Sequence, residues 1–167
     1  VCHNRKHCDR VGGDKDPVMR ADNDQPVVAA ICGSHMDPNV TVTGALLAGQ
    51  QSVPLLLLHV IEVSRELPVE ASSSVALLSA ESVLAAAQDR IKQDLLRFQG
   101  IGVRTEISQA RRASTAIVET SLEENASAIV VGSHRFLGEH DCDLGTTATH
   151  VLRHAVMPVV LCYEPIR

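Results

Sequence analysis

Short apolar runs set at wide intervals constrain this chain more than any other feature. Val27-Val28-Ala29-Ala30-Ile31 gives way to the turn Cys32-Gly33-Ser34, residues 53–60 form a second run, Ala128-Ile129-Val130-Val131 stops at Gly132-Ser133, and residues 158–163 form the last. Runs of this length without polar alternation suit strands buried on both faces of a sheet. Pro54 is tolerated near the start of the second one. Val103, Thr105 and Ile107 alternate with Arg104 and Glu106, which predicts a fifth, half-exposed strand.

Helical patterns fill the intervals. Leu77, Ala80, Leu84, Ala87, Ile91, Leu95 and Phe98 recur at three- and four-residue steps, the signature of one apolar helix face, and Gly100 follows as a C-terminal cap. Asp37-Pro38 predicts an N-cap followed by proline at the first helical position, opening a helix to about residue 49. That helix is weakly written, because Val40 to Thr43 are β-branched and Gly44 interrupts them. Ser114 caps a predicted helix to about residue 125, a mostly polar loop covers residues 134–144, and a last helix covers about 145–155. Strands that alternate with helices imply an α/β fold, a parallel sheet with helices on both faces and right-handed crossovers. The polar first segment, with Gly12-Gly13, predicts a linker or mobile arm over residues 1–25 and a single domain over 26–167.

Composition excludes several classes. A net charge of −5 and 2% aromatic residues leave neither a basic footprint nor stacking platforms for nucleic acid. The apolar run at residues 53–61 is too short to span a bilayer, so no membrane contact is expected of this domain. Five scattered cysteines and a polar start without a signal peptide point to a reducing compartment, the cytoplasm.

In an open α/β sheet, ligands bind beyond the carboxyl ends of the strands where the strand order reverses. With the first strand central, that place lies between Cys32-Gly33-Ser34 and Gly132-Ser133-His134. Gly33 and Gly132 would let backbone approach a ligand closely. The helix opening at Gly145-Thr146-Thr147 would turn its free N–H groups toward the same crevice, an arrangement suited to phosphate.

These residues resemble a known family. Gly132-Ser133-His134-Arg135 through Gly145-Thr146, then Val151-Leu152-Arg153-His154-Ala155 and Pro158-Val159-Val160-Leu161, are similar to the C-terminal signature of universal stress protein A domains. That signature reads G-x2-G-x9-G-[ST], V-L-R-H-A and P-V-L-V-V. Gly33-Ser34 and Leu58-His59-Val60 resemble the family's first two strands, and the likeness covers about residues 26–163. It implies a Rossmann-like, adenine nucleotide alpha hydrolase-like sheet of order 3-2-1-4-5 and a homodimer paired through the last strand. It also implies ATP or another adenine nucleotide, with magnesium, in one subfamily. Gly132, Gly145 and Thr146 match the signature's first glycine, last glycine and phosphate-contacting hydroxyl, and Val60 falls where the second strand lines the adenine pocket.

The departures weigh against tight ATP binding. Arg135 replaces the middle glycine, where it either fills the phosphate space or binds phosphate with its guanidinium. Cys32 stands where ATP-binding members carry Asp, and Ala148 where a second hydroxyl would hold phosphate. Glu139, Asp141 and Asp143 would repel a polyphosphate unless a divalent cation bridged them.

Other groups are read conservatively. Cys2, His3, His7 and Cys8, and His134, His140, Asp141, Cys142 and Asp143, contain metal-ligand types without a known spacing, so a disordered arm and a solvated loop are expected. His150 and His154 share a helix face but lack a following Glu, so packing is expected of them. His59 is read as a satisfied core histidine, Cys32 as a small buried residue or a reactive thiol, and Arg111-Arg112 as a solvated turn. No G-x-S-x-G elbow and no placed general base support an enzyme. The reading is a non-catalytic, dimeric stress-response module with a degraded ATP signature. Two alternatives stand beside it: an appended regulatory domain of a larger protein such as a membrane transporter, which Val1 at the start and the linker-like segment favour, and an ATP-binding protein with slow ATPase activity.

Overall fold

The computed structural model describes residues 25–68, 73–93, 98, 100–133, 136–137 and 142–163. The elements are β1 (Val27–Ile31), α1 (Asp37–Gln51), β2 (Leu55–Glu62), α2 (Ser74–Gln93), β3 (Val103–Ala110), α3 (Ala113–Glu123), β4 (Ala128–Ser133), β5 (Phe136–Leu137), β6 (Cys142–Asp143), α4 (Thr146–His154) and β7 (Val159–Tyr163). Five strands form one parallel sheet, β3-β2-β1-β4-β7, which is the 3-2-1-4-5 order implied by the family resemblance.

The sheet has two covered faces because side chains alternate along each strand. Val27, Ala29, Ile31, Leu55, Leu57 and Val130 meet α1 and α2. Val28, Leu56, Leu58 and Ile129 turn the other way, toward α3 and α4. Val27–Ile31, 55–58 and 128–131 are therefore apolar at every position, as the continuous runs required. Leu55 and Leu57 are both fully buried, a burial that stabilises by about 1.5–3 kcal/mol per side chain.

Gly44 has a different role from the helix interruption read from sequence. A Cβ there would lie 3.0 Å from Leu55 Cδ1 and 3.1 Å from Ala29 Cβ. Its missing side chain lets α1 cross the sheet closely, and that packing outweighs the poor helix propensity of the segment.

Several boundaries differ from the sequence reading. The second strand starts at Leu55 instead of residue 53 and runs on to Glu62, and the third extends to Ala110. The polar loop of residues 134–144 contains a short antiparallel pair, β5 with β6. Ser114 does not cap α3: the N-cap is Arg112, and Ser114 is buried at the second helical position. The first amide of α3 is instead satisfied by Glu62, whose Oε1 accepts from Ala113 N at 2.6 Å. Gly100 adopts φ +81°, as a terminating glycine should, but residues 94–97 and 99 lie outside the described set, and so does Leu95. The predicted arm falls outside it too, apart from Gln25. Among the described residues, no helix is long and apolar enough to cross a membrane.

Candidate functional site

The register shows where the sheet opens. β1 pairs with β2 through Ile31↔His59, but with β4 only through Ala30↔Val131. The chain then leaves β1 through Cys32-Gly33 and leaves β4 through Gly132-Ser133, one toward α1 and the other toward α4. This is the topological switch point of the sheet, and its carboxyl side is the crevice expected to take a ligand.

One wall is the β1–α1 turn. Gly33 adopts φ +86°, a region that favours glycine, and a Cβ there would approach Val83 Cγ2 of α2 to 3.3 Å. Asp37 does not act as the N-cap of α1, which is Met36. Its carboxylate reaches back into the turn. Gly33 N donates to Oδ2 at 2.7 Å, while Cys32 N and Ser34 Oγ donate to Oδ1 at 3.3 and 3.0 Å. Ser34 Oγ in turn accepts from Met36 N at 3.2 Å. Asp37 thus ties the β1–α1 turn to the start of α1 through Cys32, Gly33 and Ser34. Cys32 is exposed, not buried as a small core residue would be, and its thiol lies 4.0 Å from Asp37 Oδ1.

The other wall is the start of α4. Gly145 is its N-cap with φ 78° and no side-chain cap, and among the described residues no atom lies within 4 Å of where its Cβ would be. The opening amides of a helix lack intrahelical partners, and this N-terminus carries no side-chain cap. Thr146 is exposed and Thr147 half-buried beside it. Ser133 holds this wall in place: buried at the end of β4, its Oγ donates to Leu144 O at 2.8 Å, tying the strand end to the residue before Gly145.

The predicted residues therefore divide. Gly33, Ser133, Gly145, Thr146 and Thr147 gather at the switch point. Val60 is half-buried on the α3/α4 face of β2, within the packing around Leu58 and Ile129. Gly132 ends β4 at the same place, and a Cβ on it would come within 3.1 Å of Met36 Cβ and 3.4 Å of Val40 Cγ2, so a side chain there would crowd α1. Ala148 is 2% exposed and so presents no surface to the crevice. The call on Arg135, and those on Glu139, Asp141 and the side chain of Asp143, lie outside the described residues. So do the Cys/His group of residues 2–8, His134, His140 and the side chain of Cys142. Among the described residues no cluster of three or more metal-ligand types occurs.

Three further groups were misjudged from sequence. His59 is half-buried on the α1/α2 face, and its Nδ1 is buried without a hydrogen-bond partner among the described residues, so it is not the satisfied core histidine expected. Burial lowers its pKa from the ordinary 6.5, opposed by the Asp37 charge and a hydrogen bond with the Ile31 backbone. Arg111 is exposed, as a solvated turn requires, but its guanidinium also donates to the carbonyls of Val63, Ser64 and Leu67, strapping down the chain after β2. Asp37, read only as a cap, is the hub of the crevice's first wall. The S-x-x-D spacing held that signal. His150 and His154 stack on α4 with ring centroids 4.0 Å apart, consistent with local packing.

The profile of the universal stress protein family matches residues 25–162. The chain belongs to the universal stress protein family. Among solved structures, a universal stress protein from Archaeoglobus fulgidus is similar at 21% identity, with TM-score 0.67, covering 82% of this chain and 97% of that one. The universal stress protein from Archaeoglobus fulgidus in complex with dAMP gives 21% identity and TM-score 0.64 over 82% of this chain and 96% of that one. A universal stress protein in complex with cAMP gives 20% identity and TM-score 0.57 over 84% and 98%. Identities this low establish the shared fold. Among curated proteins, no sequence matches the chain significantly.

Proposed function

We propose that this universal stress protein domain is a non-catalytic, cytoplasmic regulatory module whose crevice takes an adenine nucleotide and whose last strand pairs two copies into a homodimer. The observation that carries the ligand reading is the start of α4 at the switch point, which lacks a side-chain cap, has no atom of the described residues within 4 Å of a Cβ on Gly145 and exposes Thr146. A helix N-terminus held this way favours a phosphate. The dAMP and cAMP complexes of similarly folded proteins support an adenine nucleotide as its bearer. The ATP signature is read as degraded. Cys32 brings no carboxylate to the first wall, and Gly132 is engaged by Met36 and Val40. No described side chain is placed as a general base or activated nucleophile in the crevice, which supports a binding role over a catalytic one.

The test is isothermal titration of the full chain with AMP and with ATP, with and without magnesium. Binding that Gly145→Val abolishes, while the variant keeps its melting temperature within a few degrees, is the expected result. No heat at millimolar nucleotide would end the nucleotide reading. Sustained phosphate release from ATP that disappears in Thr146→Ala would overturn the non-catalytic one.

A further inference from the structure

Outside the crevice, one pair of metal-ligand side chains shares a single face of α4. His150 and His154 lie four residues apart, a spacing that makes them neighbours on the helix surface. Their ring centroids are 4.0 Å apart and the rings are 18° from parallel. Both come from adjacent turns of one helix, so the backbone alone brings them together and no other element is needed to assemble the pair.

Hydrogen bonding prepares the two rings for the same task. His154 Nδ1 sits 2.8 Å from the His150 carbonyl oxygen. A carbonyl oxygen can only accept, so Nδ1 carries a proton and donates it, and the lone pair of the neutral ring is on Nε2. A histidine that ligates a metal commonly donates its other ring N–H in this way, to a backbone carbonyl or a carboxylate, which fixes its tautomer and orientation. The His154 side chain is exposed. His150 is half-buried, and its Nδ1 is buried without a hydrogen-bond partner among the described residues. A buried polar atom left this way is uncommon in a folded protein, and stacking on His154 gives it no partner. His154 is also the last residue of α4, where the free carbonyls of the final turn favour a cation. Arg153, exposed beside it, opposes that cation in part with its like charge.

We infer that His150 and His154 form a chelating site for a divalent transition-metal ion of the zinc, nickel or copper class, held by the two imidazoles with water in the remaining positions. Imidazole selects this class over magnesium and calcium, which take oxygen ligands. A tetrahedral zinc ion about 2 Å from each of two nitrogens holds them about 3.3 Å apart. Rings centred 4.0 Å apart meet that demand by turning about side-chain bonds, with the helix backbone in place. The pair follows Gly145 by more than one turn of α4, so the site stands apart from the nucleotide reading. Its consequence is local: the ion clamps the final turns of α4 and makes the stability of the protein respond to metal.

The experiment titrates the full chain, His150→Gln and His154→Gln with zinc chloride by calorimetry, with magnesium chloride as the control. Melting temperature is measured on each protein with and without zinc. The wild-type imidazole resonances are followed by NMR as substoichiometric nickel is added. Cys2, His3, His7 and Cys8 bring further metal-ligand types to the full chain, so weakening in both variants is the readout that assigns the ion to α4. The expected result is a zinc-binding event whose affinity falls about tenfold or more in each variant and that magnesium does not reproduce. Nickel should broaden His150 and His154 together, and zinc should raise the melting temperature of the wild type but of neither variant. Equal zinc affinity in all three proteins, or nickel broadening that spares either histidine, would overturn the site and assign the ion to other ligands. No heat at millimolar zinc, with an unchanged melting temperature, would overturn it outright. Should a variant fail to fold, the nickel broadening of the wild type decides the matter by itself.

Discussion

At one edge of the sheet β3 carries Arg104 and Thr105 exposed, and Arg104 Nη2 sits 2.9 Å from Glu124 Oε2 of the turn after α3. Just beyond it Arg111 gathers three carbonyls of the chain that follows β2. At the other edge β7 runs Val159-Val160-Leu161-Cys162, all half-buried, to Tyr163 at 52% exposure, with Val156 at 79% and Leu152 at 43% nearby. An edge strand exposes unpaired backbone groups, and charge on such a strand is the common protection against pairing with another chain. β3 has that protection and β7 lacks it. The same parallel ladder thus ends in a strand built to stop and a strand built to continue. That contrast is what supports placing the homodimer at β7.

The sharpest way to break the contrast is to give β7 the chemistry of β3. Leu161→Lys is expected to turn a dimer at micromolar concentration into a monomer, raising the dissociation constant about a hundredfold or more, whereas Thr105→Lys on β3 should leave assembly unchanged. Sedimentation velocity reads both. A monomeric wild type, or a Thr105→Lys variant that dissociates equally, would remove the distinction between the edges. A smaller effect is expected from the brace on the β3 side. Arg111→Ala leaves three carbonyls without their charged donor, and hydrogen bonds to charged groups contribute about 1.5–3 kcal/mol each at most. Because two of the three acceptors are at exposed positions where water substitutes, the expected loss is about 1–2 kcal/mol in urea unfolding, with faster amide exchange confined to the chain after β2. A stability within experimental error of the wild type would show that the strap is ornamental and that β3 is held by its ladder to β2 and by α2 and α3.

Much of this was legible in the residues, and the reasons are specific. The buried strands announced themselves because both faces of β1, β2 and β4 are covered, which leaves no polar position to interrupt Val27-Val28-Ala29 or Leu55-Leu56-Leu57-Leu58. The α4 start was legible because Gly145 and Thr146 are local signals, one of conformation and one of exposed hydroxyl. What sequence could not give was direction. Gly132 reads like Gly145, yet among the described residues the first backs onto Met36 and the second onto nothing within 4 Å. Gly44 reads as a helix breaker until the sheet is placed beneath it. Asp37 reads as a cap in either register, and only the position of the β1 turn shows that its carboxylate serves Cys32 and Gly33. Arg111 likewise finds its acceptors 44 to 48 positions earlier in the chain, beyond any local pattern.

The last and smallest effect separates the two sides of the sheet by pH. Cover on the β2–β3 side has a consequence for pH. Buried there are His59 Nδ1 and Gln109 Oε1, neither with a hydrogen-bond partner among the described residues. Burial lowers the His59 pKa below 6.5 in the folded protein, while the unfolded chain titrates near its ordinary value. As pH falls through 6.5 the unfolded state therefore takes up the proton first. Between the unfolded and folded values it binds more protons than the native state does, so stability declines with falling pH, and the full contribution is present only above the window. The difference in unfolding free energy between wild type and His59→Gln should be constant above pH 7 and should shift against the wild type as pH falls from 6.5 toward 5. Asp37 opposes the lowering, so Asp37→Asn should move the His59 imidazole titration, followed by NMR, further down. The affinity of the proposed dimer through β7 should stay level across the same range. A wild-type minus His59→Gln difference that is flat from pH 7.5 to 5 would mean that the imidazole is better solvated than its buried Nδ1 implies. A dimer that dissociates in step with the His59 titration would mean that the two sides of the sheet are coupled after all.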